Sequence, residues 1–375
     1  MKKLRKKKVD IKLLTIIFLL LAIGLITYIS TSLSIFTEDK DQFWSLIIRH
    51  VGLGVIGGGI AMYVTSHIDY SHWKKYSLHV FILSVLATAL VFIPGLGFSH
   101  GGATRWLSLG FITLQPAEFL KLGTILFFSA WLAKHKDRIS TFKFGLLPFL
   151  GIVGIAFATL IPQPDTGTMA LIGLVCFLLY FMRGASWKHI GVVIFCFFVF
   201  AGAYAAVNPH VIDRIETFAN PSRDPYGASY QVQQSKIAIG SGKLYGRGLG
   251  QSVHKFGPYL PESNSDSIFA VFAEEFGFLG TSLLVVLYSI FTFFGVRIAR
   301  LAPTSFGQNI TIGIIFLITI QVFFNIAAIS GLVPLSGLPL IFMSHGGSAL
   351  FISLAQLGIV LNVSRYIKTP RKVVK

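Results

Sequence analysis

Residues Tyr259 to Gly280 read YLPESNSDSIFAVFAEEFGFLG, a polar loop that gives way at Asp266 to an apolar run. That run extends over 267–296, which exceeds the roughly 20 residues a helix needs to cross a bilayer. Working outward in both directions, the same test finds nine further candidates, near 12–34, 46–66, 77–94, 114–133, 144–162, 168–185, 187–207, 309–330 and 345–366. Composition agrees, since 54% hydrophobic residues, 13% charged residues and a mean hydropathy of +0.72 lie outside the range of soluble globular chains. The sequence predicts an all-α polytopic membrane protein of about ten transmembrane helices, forming one domain over 1–375. A large extracellular loop, 208–266, separates helices 7 and 8.

A net charge of +17 would suggest nucleic acid if it formed one face, so the distribution of the 32 Lys and Arg residues decides the matter. With the N-terminus inside, 22 of them flank the inner ends of the spans, from the basic N-terminus at 1–12 to the basic tail at 366–375. The positive-inside rule therefore predicts a multi-pass membrane protein with both termini cytoplasmic. Anionic lipid and insertion topology account for the basic flanks. No nucleic-acid partner is expected.

Most connections are short, whereas 208–266 is a 59-residue segment rich in Pro, Gly, Ser, Asn and charge. Loops of that length usually carry function, and YQVQQSKIAIGSG within it predicts a partly helical segment packed on the bundle. Cys176 and Cys196 fall mid-span, where no disulfide is expected. No HExxH or CxxC occurs, so no metal ligands are predicted. Gly240 to Lys243 reads GSGK, but the first glycine of a phosphate loop is missing and Leu244 replaces its hydroxyl residue, which excludes an ATPase. Glycines 52, 54, 57, 58 and 59 of the second span predict close helix packing.

The remaining signals are charges placed where charge is costly. Glu118 and Lys121 lie three apart in QPAEFLK, on one helix face, and can pair as a structural brace. Arg105, in the polar loop GGATRWLSLG just upstream, can join Lys121 in facing an anionic headgroup. Asp266 has two readings, a base at the water interface or a cap of the eighth span, and taken alone the cap is favoured. A helix terminus would lower its pKa and burial would raise it. Glu274 and Glu275 either line a cavity or contact neighbouring helices, since they cannot both face lipid.

Five segments in order, GGATRWLSLGFITLQPAEFLK, QPDTGT, DPYGASYQVQQSKIAIGSGKLYGRGLGQSVHK, YLPESNSDSIFAVFAEEFGFLG and GLVPLSGLPLIFMSHGGSAL, resemble the successive signatures of the SEDS (FtsW/RodA/SpoVE) family of shape, elongation, division and sporulation proteins. The match spans nearly the whole chain, and GRGLGQSVHK and NIAAISGLVP are more similar to the division and sporulation branch. The resemblance implies a peptidoglycan glycosyltransferase that polymerises lipid II at the outer face of the membrane, beside a class B penicillin-binding transpeptidase. Asp266 then matches the family's catalytic aspartate. Asn264, Ser265 and Ser267 depart from the usual HTDFIF, and His345 stands where SYGGSS usually has tyrosine.

On that resemblance, Asp266 takes the proton of the acceptor 4-hydroxyl as it attacks the anomeric carbon. An α-linked donor and a β-linked product need one displacement and one carboxylate. Departing pyrophosphate calls for fixed cations, ranked Lys121 and Arg105 first, then Lys243 and Arg247; a divalent cation would suit the same role, and no cofactor is certain. Glu118 belongs to the same substrate-binding group through Lys121. Tyr230, Gln231, Gln234 and Ser235 fall on the predicted loop helix as sugar or pyrophosphate contacts, or as ordinary caps. Asp165 in QPDTG is read mainly as a turn residue. Two rival functions use the same features, a lipid II flippase and a noncatalytic scaffold of the division machinery. The first would not need Asp266 as a base, and the second would not need to retain Asp266, Glu118 and Lys121.

Overall fold

The computed structural model describes residues 8–100, 103–108, 110, 113–220, 228–256 and 259–367. The expected basic ends therefore lie partly outside the described residues. Thirteen α-helices are present among them: α1 (Ile11–Glu38), α2 (Lys40–Arg49), α3 (Gly58–His67), α4 (Tyr70–Ala89), α5 (Pro116–Lys134), α6 (Leu147–Leu160), α7 (Thr166–Met182), α8 (Trp187–Val207), α9 (Pro209–Ala219), α10 (Ala228–Ser241), α11 (Ile268–Leu301), α12 (Ser305–Ile329) and α13 (Gly347–Ser364).

Nine helical segments of the described residues are long and apolar enough to cross a membrane, and α7 is a shorter apolar helix of 17 residues. At 1.5 Å per residue α7 is about 26 Å long, near the lower limit for crossing. The second span joins α2 and α3 through a π-helical stretch, His50–Gly57. Its glycines serve packing unevenly: Gly54 and Gly58 meet Leu350 and Leu354 of α13, and Gly57 meets Phe351, while Gly52 and Gly59 meet nothing within 4 Å.

The chain departs from all-α at 97–114. The expected polar loop is a three-stranded antiparallel sheet of β1 (Gly97–His100), β2 (Ala103–Ser108) and β3 (Thr113–Leu114), with a bulge at Phe98/Ser99. Thr104, Trp106 and Leu107 in β2 suit a pleated, half-buried surface, which a search for apolar runs alone overlooks.

Two irregular segments organise the membrane face opposite the termini. The first kinks α11 at Gly277, whose φ of 65° and ψ of −166° is open only to glycine. The freed backbone groups pair with a passing loop: Phe278 and Leu279 N–H donate to the Lys243 and Leu244 carbonyls (2.9 and 3.1 Å). Glu274 and Glu275 carbonyls accept from Arg247 and Gly248 N–H (2.9 and 3.0 Å). The second is the non-helical stretch 331–346, which buries Leu338, Leu340, Ile341, Phe342 and Met343. Irregular backbone is tolerated at such depth only when protein satisfies it. Here Asn325 Nδ2 donates to Leu338 O, Gln321 Nε2 to Pro339 O and Tyr288 Oη to Ile341 O, at 2.8, 3.0 and 2.6 Å.

Candidate active site

Asp266 sits two residues before α11, partly buried, and its neighbours are held by their backbones. The Asn264 carbonyl accepts from His345 N–H (2.7 Å), the Ser265 carbonyl from Ser344 Oγ (2.7 Å), and the Asp266 carbonyl from Asn325 Nδ2 (3.0 Å). Upstream, Glu262 takes a left-handed φ of 51°, and its carbonyl accepts from Ser265 and Ser267 N–H. Three consecutive carbonyls pinned by α12 and by the 331–346 stretch leave the aspartate side chain aimed by the fold.

The expected capping role is not what the side chain does. The residue at the cap position of α11 is Ser267, which makes no side-chain cap, and its Oγ instead accepts from Gln231 Nε2 of α10 (2.9 Å). The Asp266 carboxylate receives one long hydrogen bond, from Ser265 Oγ at 3.3 Å, and Oδ2 faces Gly337, where an added Cβ would stand 3.7 Å away. So few donors cannot offset desolvation. Burial first and the negative Glu262 second push the pKa up to about 6, against the opposing pull of Ser265, Arg214 and Arg105. A carboxyl group with that pKa is a competent base at neutral pH.

Two guanidiniums, Arg105 and Arg214, lie near enough for their charge to act on this carboxyl group. Arg105, on β2, donates from Nε to Gln163 O (2.9 Å) and from Nη2 to Pro164 O (2.7 Å), fastening the sheet to the turn before α7. Asp165 in that turn caps α7 by accepting from Thr168 N–H (3.1 Å). Arg214, on α9, donates to Thr166 Oγ1 (3.3 Å). Arg214 escaped the sequence reading because DRIE looks like an ordinary solvated charge cluster; the only available signal was its place in the long loop.

The other candidates divide. Lys121 is 1% exposed and donates to Glu118 Oε1 and Gln321 Oε1, both at 2.8 Å, so it braces α5 against α12. Gln321 in turn supports the 331–346 stretch through Pro339 O, so the pair is coupled to the segment that pins residues 264–266. Ser235 is buried and bonds back to Gln231 O within α10, while Gln234 is partly buried on the same helix. Lys243 is exposed in the turn after α10, at a φ of 48°. Arg247 pairs with buried Glu274 (3.2 Å) and so belongs to the loop clamp on α11.

Glu274 and Glu275 both serve that clamp. Glu274 also accepts from Ser252 Oγ, Val253 N–H and His254 Nδ1 (2.5, 3.2 and 3.0 Å), and Glu275 binds Lys255 Nζ and Ser30 Oγ (2.8 and 2.7 Å). Ser30, Ser252 and Lys255 were not singled out from sequence, since a partner 20 or 245 residues away leaves no local pattern. Among the described residues no group of three or more His, Cys, Asp or Glu side chains converges as a metal site.

The departures from the usual signature now have local explanations. Asn264 contributes its carbonyl to His345 N–H, while its Oδ1 is buried with no hydrogen-bond partner among the described residues. His345 shares a hydrogen bond with Tyr28 Oη through Nδ1 (2.8 Å), and burial, with Arg49 next, lowers its pKa. It therefore acts as a neutral hydrogen-bonding ring where a phenol would also serve.

The fold is that of a multi-pass membrane protein whose Asp266 segment is fixed by its backbone carbonyls. Residues 11–369 match the cell cycle protein family FtsW/RodA/SpoVE, and the chain belongs to that family. It is 39% identical over 369 residues to stage V sporulation protein E of Bacillus subtilis, covering 96% of this chain and 98% of that protein. It is 34% identical over 370 residues to a probable peptidoglycan glycosyltransferase FtsW of Trichlorobacter lovleyi, covering 98% of this chain and 96% of that protein. A chain from a structure of a peptidoglycan synthase complex that coordinates polymerization and crosslinking superposes with a TM-score of 0.77 at 25% identity, covering 96% of this chain and 98% of that one. The rod shape determining protein RodA of Thermus thermophilus superposes with a TM-score of 0.67 at 25% identity, with the same coverage.

Proposed function

We propose that the protein is a peptidoglycan glycosyltransferase that polymerises lipid II at the outer face of the cytoplasmic membrane, with both termini inside and Asp266 as general base. The observation that carries this is the Asp266 carboxyl group, its segment pinned through three carbonyls and its pKa raised to about 6 beside Arg105 and Arg214. In the reaction, the carboxylate takes the proton of the acceptor 4-hydroxyl. The oxygen bonds to the anomeric carbon from the face opposite the departing diphosphate, and configuration inverts. Developing negative charge on the diphosphate is met by fixed cations, which need no reorganisation as the reaction proceeds.

An apolar groove of about 570 Å³ between α6, α7 and α8, lined also by Phe324 of α12, has the size and character to take a polyprenyl chain. The basic flanks of the spans support the orientation. Similarity to a chain of a peptidoglycan synthase complex supports a cross-linking partner, which the family resemblance gives as a class B penicillin-binding transpeptidase.

The test is polymerisation by the purified protein given lipid II, with and without that partner, for wild type and Asp266→Asn. Glycan strands from wild type and none from a folded, lipid-binding variant are expected. Equal product from both would remove Asp266 from the chemistry. No product from either would favour lipid translocation or scaffolding instead.

A further inference from the structure

On the face opposite the termini, a cavity of about 60 Å³ lies between α9, α10 and the turn at Gly331–Leu335. At roughly 10–15 Å³ per water this holds on the order of four waters, a space suited to a single phosphate group. Arg214 and Lys236 both line it, with Thr217, Ser229 and Gln233, the last donating to Ser229 Oγ (3.2 Å), and among the described residues no lining residue is Asp or Glu. Among the described residues neither cation has a carboxylate partner within ion-pair distance, and the one hydrogen bond of Arg214 uses a single N–H of its five.

Lys236 lies across the turn at Gly331, whose φ of 74° favours glycine; an added Cβ there would stand 2.2 Å from Lys236 Cε and 2.4 Å from Nζ. α10 is itself tied to the base through Gln231 and Ser267, so the cavity and Asp266 are held in one frame.

We propose that Arg214 and Lys236 form the site for the departing diphosphate of the polyprenyl-linked donor. The assignment rests on the glycosyltransferase reading and adds the place of its leaving group. The hydroxyl proton moves to Asp266 and the new O–C bond forms at the anomeric carbon. The old C–O bond breaks with its electron pair on the diphosphate. Base and leaving group thus flank one carbon, and the departing phosphate must lie within a few ångströms of the reacting oxygen. Arg214 and Lys236 line one cavity, and α10, which carries Lys236, is tied by Gln231 to Ser267, the residue after the base.

A phosphate site at a membrane surface could also serve an anionic phospholipid, and the test separates the two. Full-length protein in nanodiscs or detergent is titrated with undecaprenyl diphosphate and, separately, with phosphatidylglycerol, for wild type, Lys236→Gln, Arg214→Gln and Asp266→Asn. Loss of one charge-assisted contact should weaken diphosphate binding roughly tenfold or more in the Lys236 and Arg214 variants. Asp266→Asn and phosphatidylglycerol binding should be unaffected. In polymerisation, kcat should fall more than KM rises, because the charge develops in the transition state. Unchanged diphosphate binding in both variants would overturn the proposal, as would an equal loss for phosphatidylglycerol. Should Arg214→Gln fail to fold, exposed Lys236 decides alone. Diphosphate binding that depends on Lys236 in a protein that makes no glycan would keep the anion site and discard the glycosyltransferase reading.

Discussion

Asp266→Asn should make the protein inactive and more stable at once, a combination that separates a base from a structural anchor. The carboxyl pKa is raised from 3.8 to about 6, chiefly by burial. About two pKa units correspond to at most ~3 kcal/mol spent holding the ionised form in the fold, and partial exposure trims that ceiling. The sign follows from linkage. The folded state keeps this proton more tightly than the unfolded chain, so the penalty is absent below about pH 4, grows between about 4 and 6, and stands in full above 6. Asparagine keeps the shape without the charge. At pH 7.5 the variant should unfold in detergent at a temperature higher by on the order of a few degrees, and the gap should close toward pH 4. Its polymerisation rate should fall by roughly a hundredfold or more, while the wild-type rate climbs about tenfold per pH unit up to ~6 and then levels. Thermal unfolding and lipid II polymerisation, each followed from pH 4 to 8, read both effects. A variant less stable than wild type at pH 7.5, or a wild-type rate that is flat from pH 5 to 8, would refute this account.

Lys121→Met leaves Glu118, 3% exposed, as a buried charge without its cation and should cost about 3–5 kcal/mol, seen as lost folded yield; adding Glu118→Leu should restore the yield. A single variant as stable as wild type would show that the pair braces nothing. Gly277→Ala forces a Cβ to 2.2 Å from Gly246 N in a glycine-only conformation, so it should cost about 1–3 kcal/mol or more and speed proteolysis within residues 242–256. Unchanged cleavage there would mean that the loop clamp does not depend on the kink. Arg105→Lys should lose as much polymerisation activity as Arg105→Gln, because an ammonium cannot span the Gln163 and Pro164 carbonyls as the guanidinium does. Full activity in the lysine variant would show that only charge matters at this position.

What the sequence displays depends on whether a feature is local. Apolar runs separated by basic flanks are visible because lipid imposes length and charge rules residue by residue, and nine long apolar helices with a shorter tenth are present among the described residues. The 97–114 sheet escaped because a mixed strand of Thr, Arg, Trp, Leu and Ser is indistinguishable from a polar loop when only apolar runs are sought. Asp266 was legible as an acid at a loop-to-helix junction, but its freedom from capping depends on His345, Ser344 and Asn325, which lie 59 or more residues away. Lys121 was legible both as half of an ion pair with Glu118 and as a phosphate contact; the pair is present, and Gln321, 200 residues distant, adds a tie to α12 that the sequence could not display. Arg214, without a distinctive neighbour in sequence, emerges only when α9 brings it beside Thr166 and Lys236. In a membrane bundle the polar groups that matter find their partners between helices, because lipid offers none. The reach of a sequence reading therefore ends where those pairings begin, and the preorganised carbonyls around Asp266 are the clearest instance.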